Sequence, residues 1–236
     1  MSWVVQTVQE VTDIPLALDT SNIAAMEAGL KVHKGRALIN SIMARPERMD
    51  GMMPLVKKYD ADMIGLMWGP EGMPRDENER GMLTAEILAK AAEYDIENER
   101  IWFDPIIAPL NIQQNQLIAT LDYLHMLQDM APGSKSTCGL SNASNGVPDN
   151  LRPIINRTFV VMLQRNGMVS AIVDAFDQEL ADVVNGKMPE AVKIVYDIMD
   201  GKSVDIASMS KEKQNYAKTA RVIMGQVLFS DSWLEI

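Results

Sequence analysis

Six times along the chain a short apolar run ends in small or polar residues and gives way to a stretch of helical period. The runs are Ile14–Leu18, Arg36–Ile39, Asp62–Met67, Ile101–Phe103, Ser136–Leu140 and Val169–Val173. Each has the length of a β-strand. Ile23–Leu30, Arg48–Tyr59, Asp76–Tyr94, Gln113–Met130 and Asn156–Asn166 lie between or before them with apolar residues at three- and four-residue spacing, and Ser2–Val11 precedes the first run as a further helix. Asp76 or Asn78 is a suitable N-cap for the long helix that follows, and the acidic residues there suit the positive end of its dipole. Repeated strand–helix alternation predicts a parallel sheet with helical crossovers. No GxGxxG or GxxxxGKS/T follows any run, which argues against a dinucleotide-binding or P-loop site. A chain of 236 residues has the size of one α/β barrel.

The runs share a second property. Asp19, Asn40, Asp104, Asn142 and Asp174 stand at or just beyond their ends. In an α/β barrel such positions gather at the carboxyl-end face, where active sites are built. One Asp or Asn alone reads better as a helix cap or turn residue; five around one mouth favour a site. The longest departure is Ser136–Arg157, where the strand breaks into Ser141-Asn142-Ala143-Ser144-Asn145-Gly146 before Pro148 and Pro153. A packed strand spilling into a polar loop of this length suits ligand binding better than a plain connection.

Composition narrows the chemistry. A net charge of −10 disfavours nucleic acid and anionic membrane as partners, because phosphate backbones are met by clustered Lys and Arg. The single cysteine, Cys138, allows no internal disulfide; its place in a strand reads as a buried, inert thiol, and one cysteine fits a reducing compartment. The two histidines, His33 and His125, have no metal-ligand spacing, so no metal site is expected. No GxSxG elbow is present, no apolar run approaches the roughly 20 residues of a membrane span, and Trp3–Val11 lacks the basic lead of a secretory signal. A cytoplasmic protein working through amides and carboxylates is expected.

Five segments in order, LALDTSN (Leu16–Asn22), ALINS (Ala37–Ser41), IWFDP (Ile101–Pro105), GLSNAS (Gly139–Ser144) and RPIINRTF (Arg152–Phe159), resemble the pterin-binding methyltransferases. The nearest pattern is that of the methyltetrahydrofolate:corrinoid protein methyltransferases, including the folate-handling component of O-demethylase systems. The resemblance covers most of Ser2–Asp174. It implies a TIM (β/α)8-type barrel of which six βα units are visible here. The family's first two strands, with their Gly-Glu-Arg and Asp-x-Asn signatures, have no counterpart, so the chain is expected to begin at the helix after the second strand. Residues 1–236 are then one pterin-binding domain, with 180–212 a helical insertion and 213–236 the closing helix.

The resemblance also implies an activity: methyl transfer between N5 of tetrahydrofolate and the cobalt of a corrinoid (cobalamin) on a partner protein, by a cytoplasmic homodimer. Asp19, Asn40, Asp104, Gly139, Ser141, Asn142, Asn145 and Arg152 become the folate-binding residues, and Asn142 the catalytic one. Carboxylates suit the adjacent amino and ring N–H groups of a pterin, and the amides of Asn40 and Asn142 suit a ring edge of mixed polarity. Two alternatives accompany this reading. A dihydropteroate synthase-like enzyme would want a late strand-end lysine, which GLSNAS lacks. A catalytically incomplete folate-binding protein would keep the pocket without the turnover.

Overall fold

The computed structural model describes residues 1–235. Two compact units divide the chain, the first made of residues 1–106 and 126–137, the second of residues 107–125 and 138–236.

The first unit opens with helix α1 (Ser2–Gln9) and carries the sheet: β1 (Ala17–Asp19), β2 (Leu38–Met43), β3 (Asp62–Leu66), β4 (Ile101–Asp104) and β5 (Lys135–Ser136). The strands are parallel and lie in the order β1-β2-β3-β4-β5. That is the α/β class with a parallel sheet and interleaved helices anticipated from the sequence. Sequential order is the winding of a barrel-type sheet; a doubly wound sheet would reverse direction part-way. Helices α2 (Ile23–Leu30), α3 (Pro46–Lys58) and α4 (Glu77–Glu93) follow β1, β2 and β3. Ile39, Met63, Ile101 and Phe103 from the strands, with Met26, Met52, Met53 and Ile87 from the helices, are fully buried. Each such side chain contributes about 1.5–3 kcal/mol.

Local chemistry sets the helix starts. Asn22 Oδ1 accepts Ala25 N–H at 2.9 Å and Asp76 Oδ1 accepts Glu79 N–H at 2.9 Å, so both residues are N-caps. Two starts differ from the periodicity. α3 begins at Pro46, not near Arg48, and α6 (Arg152–Arg165) begins four residues before Asn156 with Pro153 in its first turn. Proline is compatible with a first turn because its missing N–H has no helical partner there. At the first strand Pro15 has the opposite effect: it has no N–H to give a ladder, and β1 starts at Ala17 instead of Ile14.

Helix α5 (Gln114–Met130) is divided at His125–Met126 between the two units. The second unit continues with a 3-10 turn at Leu140–Ser144, α6, α7 (Gln178–Val184), α8 (Pro189–Met199) and α9 (Lys211–Ile223). Its core includes Ile155, Phe159, Val195, Tyr216, Ala220 and Trp233, all at most 2% exposed. The sixth strand of the sequence reading is reduced to one parallel bridge, Gly139–Ile172, with Ile172 N–H donating to Cys138 O (2.8 Å) and Leu140 N–H to Ile172 O (3.1 Å). Likewise the fifth strand closes at Ser136, and Leu140 belongs to the 3-10 turn.

Candidate functional site

In the first unit Asp19 and Asp104 stand at the carboxyl-terminal ends of β1 and β4, whereas Asn40, expected at a strand end, lies inside β2. Asp19 is directly opposite Asn40 in the β1–β2 register, and Thr20 N–H donates to Asn40 O at 3.2 Å. β2 does not stop at Asn40. Its pairing with β3 jumps between Ile39 and Ile42, so Asn40 and Ser41 form a bulge within the strand. A bulge re-aims a side chain and recurs next to active sites. The Asn40–Ser41 peptide is cis. Asp19 is exposed and Asn40 half-buried.

Asp104 ends β4, opposite Leu66 of β3, with Met67 N–H donating to its carbonyl at 3.1 Å. Its side chain is half-buried. Burial pushes its carboxyl up from 3.8 to about 6, against a smaller opposing effect from the Ile106 N–H, which donates to Oδ1 at 2.9 Å. The group is thus mostly ionised at neutral pH and protonates within a physiologically reachable range. Ile106 has φ +62°, a left-handed conformation that costs an L-residue about 1–2 kcal/mol. Arg80 of α4, fully buried, meets this turn with Nε donating to Pro105 O (2.9 Å) and Nη2 to Ile106 O (3.4 Å). Sequence reasoning missed Arg80 because one arginine in a helix with charged neighbours looks like a surface residue.

In the second unit the GLSNAS loop is wound into the 3-10 turn by Asn142 N–H to Gly139 O (3.2 Å) and Asn145 N–H to Asn142 O (3.1 Å). Leu110 N–H donates to Ala143 O at 2.9 Å and anchors the turn. Ala143 and Ser144 point inward and are buried, whereas Ser141, Asn142 and Asn145 are exposed. Gly139 keeps space for the Asn142 amide: a Cβ there would stand 3.2 Å from Asn142 Nδ2. Arg152, at the start of α6, donates from Nε to Ser144 Oγ at 3.3 Å, which ties it to the same turn.

A cleft of about 220 Å3 in this unit is lined by Ser141, Asp149, Arg152, Asn156, Asp174 and Asp177, among others. It brings the expected Ser141 and Arg152 together with Asp174, while Asn142 and Asn145 are not in its lining. Asn156 Oδ1 is buried with no hydrogen-bond partner among the described residues. Asp174 turns back on its own backbone, accepting Phe176 N–H at 2.9 Å. Beside it Arg157 donates to both oxygens of Asp177 at 3.0 Å and pairs with Glu179, which also accepts from Tyr216 Oη at 3.1 Å. Burial raises the Asp177 carboxyl, but Arg157 and the Leu180 N–H outweigh it and hold the group below the ordinary range. This network joins α6, α7 and α9. The sequence showed Arg157 within RPIINRTF but nothing of its partners, 20 and more residues away.

Among the described residues no helix is long and apolar enough to cross a membrane. The family model described as pterin binding enzyme matches residues 1–174. The methylcorrinoid:tetrahydrofolate methyltransferase of Eubacterium limosum is 24% identical over 186 residues, covering 78% of this chain and 68% of that protein. The methionine synthase of Mycobacterium leprae is 27% identical over 175 residues, 70% of this chain but 14% of that protein, and the one of Mycobacterium tuberculosis is 27% identical over 172 residues, with 14% of its length covered. Among solved structures, a dihydropteroate synthase from Xanthomonas albilineans in complex with 7,8-dihydropteroate superposes with a TM-score of 0.62 at 18% identity, over 80% of this chain and 71% of that one. This last likeness is one of fold.

Proposed function

The chain belongs to the pterin binding enzyme family, and from that premise we propose that it moves a methyl group between N5 of tetrahydrofolate and a corrinoid carried by another protein. The similarity to the Eubacterium limosum methyltransferase supports the choice of substrates. The observation that carries the reading is Asn142, an exposed amide presented on a hydrogen-bonded 3-10 turn. Dihydropteroate synthase chemistry would want a lysine from this loop, and the loop has none.

The methyl group on N5 leaves a tertiary amine, a poor leaving group unless the nitrogen is protonated or hydrogen-bonded as the C–N bond breaks. The corrinoid supplies the nucleophile. Asn142 has no useful pKa and is no proton source; its amide holds the N5 proton as charge develops, so it acts on the transition state more than on binding. Asp104 takes the adjacent amino and ring N–H groups of the pterin through its ionised carboxylate, a charge-assisted pair. Asn40 and Asp19 complete the recognition of the ring edge, while Gly139, Ser141 and Asn145 border the reacting side and Arg152 offsets ligand carboxylates.

The test separates binding from turnover. Asn142→Ala should reduce methyl transfer at saturating methyltetrahydrofolate by about 10²-fold, the scale of losing one preorganised hydrogen bond to the transition state, with affinity changed far less. Asp104→Ala should weaken binding by about 10-fold or more while turnover per bound folate is largely kept. Equal losses of affinity in both variants, with turnover per bound folate intact, would refute this division of roles.

A further inference from the structure

We infer that Arg80 is a positioning residue for the Asp104 carboxylate, acting through the peptide unit between Pro105 and Ile106; this rests on the pterin-holding role proposed for Asp104. The two ends of that single peptide are occupied from opposite sides. Its oxygen accepts from Arg80 Nε at 2.9 Å, and its N–H donates to Asp104 Oδ1 at 2.9 Å. A peptide whose carbonyl is bound to a guanidinium is polarised and becomes a stronger N–H donor, because linked hydrogen bonds reinforce one another in a medium of low polarity. The positive charge of a fully buried arginine is thereby relayed to the carboxylate without direct contact.

The same arginine fixes the geometry. Nη2 donates to Ile106 O at 3.4 Å, so consecutive carbonyls are gripped by one rigid planar fork. Between them lies Ile106 at φ +62°, a conformation that a β-branched residue keeps only when its surroundings impose it. The Ile106 N–H takes one lone pair of Oδ1 and fixes the rotation of the carboxylate, which leaves Oδ2 and the second lone pair of Oδ1 to accept the two N–H groups of the pterin. A free aspartate at a strand end would sample several rotamers and lose affinity in being ordered. Lysine offers its donors from one point on a flexible stem and lacks the planar fork that fixes two of them against consecutive carbonyls, so the position favours arginine.

The experiment is a double-mutant cycle read by calorimetric titration with methyltetrahydrofolate. Arg80→Met should lower affinity about tenfold, Asp104→Ala at least as much, and the double variant no further than the weaker single, since one residue acts through the other. Arg80→Lys should fall between wild type and Arg80→Met, and it gives a second variant should the methionine chain fail to fold. Adding Ile106→Gly to Arg80→Met should recover part of the loss, because glycine takes the left-handed conformation unaided; a purely structural arginine would not be rescued this way. Losses that multiply in the double variant, or wild-type affinity in Arg80→Met, would overturn the inference while the pterin role of Asp104 stands. Wild-type affinity in Asp104→Ala would overturn both.

Discussion

Asp104→Asn removes a charge from a site that resists it, and its effect on stability has a defined sign and pH window. In the folded chain the carboxyl is raised from 3.8 to about 6. At about 1.4 kcal/mol per pKa unit, the ionised form is disfavoured by ~3 kcal/mol relative to the unfolded chain. The side chain is half-buried, and residual solvent screening reduces this to roughly 1–3 kcal/mol. Because the folded pKa lies above the unfolded one, the native state binds more protons between the two values. Stability from this group is therefore full below about pH 4, lost as pH rises to about 6, and flat above. Asparagine keeps an oxygen for the Ile106 N–H and has nothing to ionise. Urea unfolding should find the variant equal to wild type near pH 4 and more stable at pH 8, with a thermal midpoint higher by roughly 2–4 °C per kcal/mol in a chain of this size. Methyltetrahydrofolate affinity should move the other way, falling in the variant at pH 8, and in wild type as pH drops below about 6. An identical pH profile of stability in the two proteins would refute the argument that burial sets this carboxyl.

Gly139→Ala places a Cβ 3.2 Å from Asn142 Nδ2, at a backbone φ of −83° that any residue adopts. Methyl transfer should fall about tenfold, from displacement of the amide alone, with the melting temperature unchanged. Arg157→Leu strands Asp177 and Glu179, and because the network is partly solvated the cost should be about 2 kcal/mol, between surface and buried pairs, read as a lower thermal midpoint. Asp177 is held below its ordinary range, so its stabilising contribution is present at neutral pH and is lost as pH falls through that lowered value; acid titration of stability should show less of this loss in Arg157→Leu than in wild type.

The path from sequence to fold was legible where local chemistry and tertiary structure agreed. The strand–helix alternation gave the parallel sheet, and Asp76 reads as a cap and is one. The prolines at 46 and 153 misled because the same residue that breaks a helix interior is welcome in its first turn. The strand at 169–173 survives as one bridge at Ile172, since an apolar run shows strand propensity but not whether a neighbour is in register to pair with it. At the candidate site, Asp19 and Asp104 could be placed at strand ends because that position follows from the alternation itself, whereas the strand at Asn40 runs on to Met43. The bulge that holds Asn40 and the Arg80 grip on the Asp104 turn could not be named, because both depend on partners 20 or more residues away that no spacing rule connects.

Methyl transfer itself is the most direct test. Wild-type protein with methyltetrahydrofolate and a corrinoid protein reduced to the Co(I) state should deplete the Co(I) absorbance and yield tetrahydrofolate in equal amount, with Asn142→Ala binding folate but transferring about 10²-fold more slowly. Folate that binds tightly while the Co(I) signal persists, in wild type as in the variant, would contradict the account.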